Sequence, residues 1–282
     1  MSIDLNGKVA VVTGAGRGIG RAHATLLASR GAAVVVADVG AELNGTGEST
    51  SVADEVVAAI TASGGRAVAA YDDIATFEGG GAVVQRALDV FGRVDIVVNN
   101  AGMGRGGGLT DITEADLAKV FAVNYTGTLA TIRAAWPHLI AQGWGRIVNT
   151  VSEVALDTKI GNGGGVAYGP AKAAVWSLTL SLAQQARDTG ITVNAISPGA
   201  FTRMNAGMFS QQSPPPGLDL DPMHVARVAL WLCSDEAADV TGRIIHAAGG
   251  QHREYITARE RSTPLMDRVN AAAARLVAGE AS

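Results

Sequence analysis

The sequence is expected to fold as an α/β domain in which a seven-stranded, doubly wound parallel sheet carries helices on both faces. Three observations predict this. Seven short, almost unbroken apolar runs recur along the chain, amphipathic stretches of helical period separate them, and the first run leads directly into a glycine-rich turn and a helix. Parallel strands covered on both faces read as continuous apolar runs, and strand–helix alternation is how parallel neighbours are joined. With 282 residues and 48% hydrophobic content, the chain is long enough to bury one large core.

In order, the strand-like runs are Lys8–Thr13, Ala33–Asp38, Ala67–Tyr71, Val94–Asn99, Arg146–Ser152, Thr192–Ser197 and Arg243–Ala247. The helical stretches between them are 19–30, 52–63, 76–91, 114–142, 168–188 and 222–234. No linker divides the series, so residues 1–250 are expected to form one domain. Three segments break the rhythm. Gly40–Ser51 is a polar, glycine-rich excursion after the second strand. Ser210–Gly217 contains Pro214, Pro215 and Pro216 and continues neither a helix nor a sheet ladder, so residues 200–222 are expected to form a lid over a site. Residues 251–282 form a charged tail with an alanine-rich stretch at Val269–Ala278, and the sequence does not decide whether it packs on a partner subunit, covers the site or hangs loose.

Composition narrows the function. A net charge of −4 offers no electrostatic footprint for nucleic acid or an anionic membrane. The one cysteine, Cys233, forms no internal disulfide and sits on an apolar helical face (Ala229-Leu230-Trp231-Leu232). Met1-Ser2-Ile3-Asp4 lacks the basic start of a targeting signal, and no apolar run approaches membrane-spanning length. A cytoplasmic location is the expectation. His23, His138, His224, His246 and His252 show no paired ligand spacing, so no metal is expected.

Val9–Thr13 followed by Gly14, Gly16, Gly18 and Gly20 places a strand, a glycine turn and a helix in immediate succession. Such a turn lets a pyrophosphate approach the main chain and meet free N–H groups at the positive end of the helix. Asp38 ends the second run, 18 residues after Gly20. A carboxylate there hydrogen-bonds the adenosine ribose hydroxyls and repels a 2′-phosphate, which favours NAD over NADP. Arg17, inside the turn, faces the pyrophosphate or, against Asp38, a 2′-phosphate.

Tyr168 and Lys172 stand four residues apart, one turn of a helix. A free phenol titrates near about 10, and a neighbouring ammonium is expected to draw it down towards use as a general base. Pro170 between them fits only if the helix is in its first turn there.

Thr13-Gly14-xxx-Gly18-x-Gly20, Asn99-Asn100-Ala101-Gly102, Asn124, Ser152, Tyr168-xxx-Lys172 and Pro198-Gly199 occur in that order. Together they resemble the short-chain dehydrogenase/reductase family, from residue 8 to about residue 250. The resemblance implies a Rossmann fold and hydride transfer between NAD and a CH–OH group of a small alcohol or ketone substrate. It also implies that Tyr168 acts as general acid/base, that Ser152 polarises the substrate oxygen, and that Asn124 holds a water linking Lys172 to solvent. A mid-helix Asn is consistent with a local kink at that point. Lys172 and Tyr168 would in addition contact the nicotinamide ribose. Gly14, Arg17, Gly18 and Ile19 would border the pyrophosphate, and Asn100, Ala101 and Gly102 would stabilise the sheet beside the adenosine. Asp73 and Ile74 would hold the adenine, with Asp72 leaving the register open by one. Pro198, Gly199 and Thr202 would embrace the nicotinamide. Ser152 precedes Tyr168 by 16 residues, more than the resemblance leads one to expect, so an insertion is placed around Leu156–Ile160 and Thr158 is the alternative hydroxyl.

Within the family, Asp38-Val39-Gly40 with its glycine-rich insert, Phe91-Gly92-Arg93-Val94-Asp95, Gly161-Asn162 and Leu230-Trp231-Leu232-Cys233 are most similar to 3-hydroxyacyl-CoA dehydrogenase domains of peroxisomal multifunctional enzymes and bacterial single-domain relatives. Gly163-Gly164-Gly165 and the proline-rich segment depart from that pattern. The implied substrate is a 3-hydroxyacyl-CoA or a hydroxysteroid. A sugar, terpenoid or xenobiotic alcohol is the alternative, and a non-catalytic NAD sensor is the reading of a different class. The stretches 114–142 (Leu129, Ile132, Trp136) and 168–188 (Ala174, Val175, Leu178, Leu182) carry apolar residues beyond one core-facing stripe, which burial on the sheet alone would also explain. The resemblance implies that these helices pair across a two-fold axis in a homo-oligomer, a dimer or a tetramer.

Overall fold

Continuous burial decides the strands. A computed structural model describes residues 3–42, 47–104, 108–155, 165–203 and 219–256. In it Val9–Thr13 (β1), Ala33–Ala37 (β2) and Ile96–Asn99 (β4) are buried at every position, whereas Arg66–Ala70 (β3) lies at one sheet edge with its first residue exposed. Gly145–Thr150 (β5), Ile191–Gly199 (β6) and Ile244–Ala248 (β7) complete the parallel set. The strand order is β3-β2-β1-β4-β5-β6-β7-β8, and Val11 pairs with Val35 on one side and Val97 on the other.

The eighth strand corrects the expected count of seven. Gln251–Glu254 (β8) runs antiparallel to β7, with Ala247 opposite His252. All four of its residues are exposed and none is apolar, so no hydrophobic pattern announces it; backbone pairing alone adds it to the edge.

Side chains along the strands alternate between two helical layers. Val12, Val34, Val98 and Val148 pack with Gly18–Ser29 (α1), Ser51–Ala62 (α2) and Pro222–Leu232 (α7). Val11, Val35, Val97 and Ile147 pack with Phe77–Phe91 (α3), Gly127–Gln142 (α5) and Gly165–Gln185 (α6). Helix α3 is started by the Thr76 hydroxyl, which accepts from Gly79 N–H at 3.0 Å, and ended by left-handed Gly92. No described helix is long and apolar enough to cross a membrane.

Two local results refine the expectations. The stretch 114–142 is not one helix: Glu114–Phe121 (α4) is followed by a π-helical turn at Ala122–Thr126 before α5, and Asn124 lies at the centre of that turn. Helix α6 includes Gly165, so Pro170 sits in its second turn rather than its first. The carbonyl it leaves unbonded is that of Val166, an exposed residue, which lowers the penalty.

A buried polar ladder joins the sheet to the second layer. Asn99 Nδ2 donates to Asn149 Oδ1 at 2.9 Å, Asn149 Nδ2 donates to Thr179 Oγ1 at 3.0 Å, and Thr131 Oγ1 donates to Asn99 Oδ1 at 2.6 Å. The ladder ties β4 and β5 to α5 and α6, the helices that flank the catalytic candidates, and its amides would be costly to leave unpaired in the core.

Candidate active site

Strand order reverses between β1 and β4, and in such sheets the crevice at the carboxyl ends of the strands is where ligands bind. The sequence-derived candidates among the described residues gather at that end. The first layer is the glycine turn. Gly14 and Gly18 take left-handed φ values of 62° and 52°, and at Gly20 a methyl would sit 2.0 Å from Gly14 O, so the helix starts closer to the turn than any side chain allows. Asn100 fixes the turn from β4, with Nδ2 donating to Thr13 O at 3.0 Å and Gly14 O at 3.1 Å. The Thr13 hydroxyl accepts from Asn100 N–H and Ala101 N–H, both at 3.1 Å.

Asp38 stands just beyond β2 with its carboxylate turned to the glycines. Oδ2 accepts from Gly16 N–H at 2.8 Å and Oδ1 from Gly40 N–H at 2.7 Å. Arg17 points past the turn, its Nη1 3.5 Å from Ala41 O, and Arg203 Nη2 reaches the same carbonyl at 3.3 Å. Asp73 Oδ1 accepts from Ala75 N–H at 3.0 Å, and Asp72 and Asp73 are both exposed. Ile74 is buried towards α5, against Gly127. Ile19 is half-buried on the first helical layer. Pro198 and Gly199 end β6, and a methyl at Gly18 would lie 3.6 Å from Thr202 Cγ2, so the segment leaving β6 lies against the glycine turn.

At the chemical centre Ser152 follows β5 and its hydroxyl stands beside the Tyr168 phenol on α6, where it favours the phenolate. Lys172, one turn on, is 2% exposed; its Nζ donates to Thr150 O at 2.9 Å and lies 5.7 Å from the Tyr168 ring centre. Asn124 is fully buried, and Nδ2 donates to Met103 O at 2.8 Å and to Val120 O at 2.9 Å. Its Oδ1 has no hydrogen-bond partner among the described residues. That oxygen and Lys172 Nζ both face Gly102, and the position suits a water shared between them.

Electrostatics departs from the sequence expectation for the phenol. Burial pushes Tyr168 up to about 12, with the Ser152 hydroxyl opposing only in part. Burial also pulls Lys172 down to about 8. Desolvation thus dominates at the phenol, with Lys172 Nζ 5.7 Å from its ring centre. Near neutrality Tyr168 holds its proton as an acid, and Lys172 is largely charged.

Three neighbouring side chains were not singled out by sequence: Glu153, His246 in β7 and Tyr255 after β8. Tyr255 Oη donates to Glu153 Oε1 at 2.8 Å, and His246 Nδ1 lies 2.7 Å from the same oxygen. Glu153 stands 102 residues before Tyr255 and some ninety before His246, and no spacing rule connects it to them. Thr158, the insertion at 156–160, the proline-rich segment and the end of the tail lie outside the described residues.

Comparison with known proteins agrees with this arrangement. The family model for short chain dehydrogenases matches residues 8–213. The chain is 39% identical over 245 residues to mouse (Mus musculus) peroxisomal multifunctional enzyme type 2, covering 87% of this chain but 32% of that enzyme, so it spans about a third of that relative's length. It is 35% identical over 254 residues to a hydroxy(phenyl)methylsuccinyl-CoA dehydrogenase subunit of Thauera aromatica, covering 88% of this chain and 97% of the relative. The crystal structure of a short chain dehydrogenase from Mycobacterium avium superimposes with a TM-score of 0.79 at 36% identity, covering 95% and 94% of the two chains. The glycine turn, the Tyr168–Lys172 pair and these matches together place the chain in the short-chain dehydrogenase family, as an oxidoreductase acting on CH–OH groups.

Proposed function

We propose that the chain is an NAD-dependent dehydrogenase of a secondary alcohol in which Tyr168 is the general acid/base. The observation that carries this reading is the Ser152 hydroxyl beside the Tyr168 phenol, one helical turn from buried Lys172, whose Nζ donates to Thr150 O. A nicotinamide dinucleotide fits the residues present. Gly14, Arg17, Gly18 and Ile19 border the place of its pyrophosphate, and Asp38 that of its adenosine ribose. Asp73, Ile74, Asn100, Ala101 and Gly102 flank the adenine half, and Lys172, Pro198, Gly199 and Thr202 the nicotinamide half. When bound, NAD supplies the acceptor for the substrate hydride.

The chain's own part is to orient and to move one proton. Ser152 and Tyr168 hold the substrate oxygen between two hydroxyls, and Tyr168 takes the proton of the alcohol or, in the reverse direction, donates its own. The charge of Lys172 favours the phenolate that the oxidation direction requires, and Asn124 Oδ1 offers the next station for proton exit.

For the substrate, we favour 3-hydroxyacyl-CoA thioesters, with hydroxysteroids second. The support is the similarity to the mouse multifunctional enzyme and to a relative whose own name is that of a CoA-thioester dehydrogenase. The same reading includes a cytoplasmic dimer or tetramer paired through α5 and α6. The test is NADH formation by the purified protein across 3-hydroxyacyl-CoAs of several lengths, hydroxysteroids and sugar or terpenoid alcohols, with Tyr168→Phe as control. Turnover of one class, lost in the variant, supports mechanism and substrate together. NAD binding without turnover of any alcohol overturns the enzyme reading in favour of a sensor.

A further inference from the structure

We propose that Glu153, clamped by Tyr255 and His246, is a positioning residue for Ser152; the proposal rests on the dehydrogenase reading above. Glu153 follows Ser152 directly and opens the single turn Glu153–Ala155, which the Ser152 carbonyl ties by accepting from Ala155 N–H at 3.1 Å. One residue before Ser152, Val151 N–H donates to Ile196 O at 2.9 Å. Ser152 therefore stands between a fixed ladder and a turn whose only charged side chain is Glu153. The turn also touches the catalytic helix, since a methyl at Gly169 would lie 3.2 Å from Val154 O. Whatever sets the turn sets the spacing between Ser152 and Tyr168.

What sets it comes from the far end of the chain. Tyr255 Oη donates to Glu153 Oε1, and the Tyr255 ring packs edge-on against Trp176 with centres 5.3 Å apart. Trp176 lies one helical turn beyond Lys172. Tyr255 N–H donates to Ile244 O at 2.9 Å, which fixes this residue to β7 beside His246. His246 Nδ1 approaches Glu153 Oε1 at 2.7 Å, off the line of a hydrogen bond, and the contact becomes an ion pair only when the ring is protonated. The Glu153 side chain is 28% exposed, and the oxygen it turns inward meets the Tyr255 hydroxyl and the His246 ring, so losing it would leave a half-buried phenol without its acceptor.

The charge balance around His246 gives a readout that is independent of turnover. Burial lowers its pKa, Glu153 opposes that, Arg253 and His252 lower it further, and a backbone hydrogen bond with Ser197 raises it. Glu153→Gln keeps the acceptor for Tyr255 but removes the charge, so the His246 ring, followed by NMR and assigned with His246→Gln, should titrate at lower pH than in the wild type. An unchanged titration overturns the clamp, whatever the enzyme turns over. In steady-state kinetics Glu153→Ala should lower kcat about tenfold with both KM values within about twofold, while Glu153→Gln stays close to wild type. Because the two residues act as a unit, Glu153→Ala should add nothing in a Ser152→Ala background. Losses that multiply, or a lower Tm with unchanged kcat, overturn the positioning role. Turnover that survives Tyr168→Phe counts against the dehydrogenase site instead.

Discussion

Asn124 and Lys172 approach one another across Gly102: a methyl on that glycine would sit 2.8 Å from Asn124 Oδ1 and 3.2 Å from Lys172 Nζ. Neither yields freely: Lys172 Nζ is buried and bonded to Thr150 O, and Asn124 is held by two buried hydrogen bonds. Gly102→Ala should therefore displace the amide oxygen, lowering kcat at least about tenfold and stability by about 1–3 kcal/mol. Kinetics and thermal unfolding of the variant check this, and an alanine enzyme with wild-type turnover would show that the amide oxygen is not part of the proton path.

Asp38 is expected to set cofactor choice. Its carboxylate already accepts from Gly16 and Gly40, so it is held where a 2′-phosphate would meet it, with Arg17 and Arg203 close behind on Ala41. Asp38→Asn should narrow the NAD-over-NADP preference by about tenfold or more, since a removed repulsion exposes two cations to the phosphate. Fluorescence titration with NADH and NADPH measures the ratio. A ratio that does not change would assign the preference elsewhere.

His23 should make the fold acid-sensitive. It is buried in α1, its Nδ1 has no partner among the described residues, and burial lowers its pKa from 6.5 to about 4. Between those values the unfolded chain takes up a proton that the folded chain refuses, so stability falls as pH drops from about 6.5 towards 4. The full effect of one such group is about 3 kcal/mol. His23→Leu should flatten that part of the urea-midpoint profile relative to wild type while leaving neutral pH stability equal or higher.

Lys172 acts on the alkaline side with the same sign. Its folded pKa of about 8 lies below the ordinary 10.5, so the charged form is disfavoured in the fold. Its own contribution to stability should rise as pH climbs from about 8 to about 10.5, where the unfolded chain still carries the proton and the folded chain does not. That contribution is read as the difference between wild type and Lys172→Met, because Cys233, Tyr168 and Tyr255, all raised to about 12, lower stability from about pH 9 upward. Lys172→Met should abolish that rise as well as turnover. A profile indistinguishable from wild type would mean that the ammonium is better solvated than its burial indicates.

Much of this was legible in the sequence because the determinants are local. Parallel strands announce themselves as apolar runs and the glycine turn by its spacing, while Tyr168 with Lys172, one helical turn apart, and Asn124, where the helix in fact becomes π-helical, are picked out by their place in the family's ordered motifs. What escaped was non-local. The β8 strand is polar and exposed throughout, so nothing in its residues favours a strand until β7 is there to pair with it. Glu153, His246 and Tyr255 meet only because β7 and β8 return to the end of β5. The direction of the Tyr168 shift was missed because the sequence gives the distance to a lysine along the chain but not the removal of water around the phenol.

The buried amide ladder has one more effect. Asn99 and Asn149 are direct register partners across β4 and β5. A slip of one residue would carry one asparagine to the opposite face, breaking the pair and stranding amides among valines. The ladder thus works as a keyway: it adds little to net stability, yet it admits only one alignment of the two strands from which Gly102 and Ser152 emerge. The geometry of the crevice is in that sense decided in the middle of the sheet, before any ligand arrives.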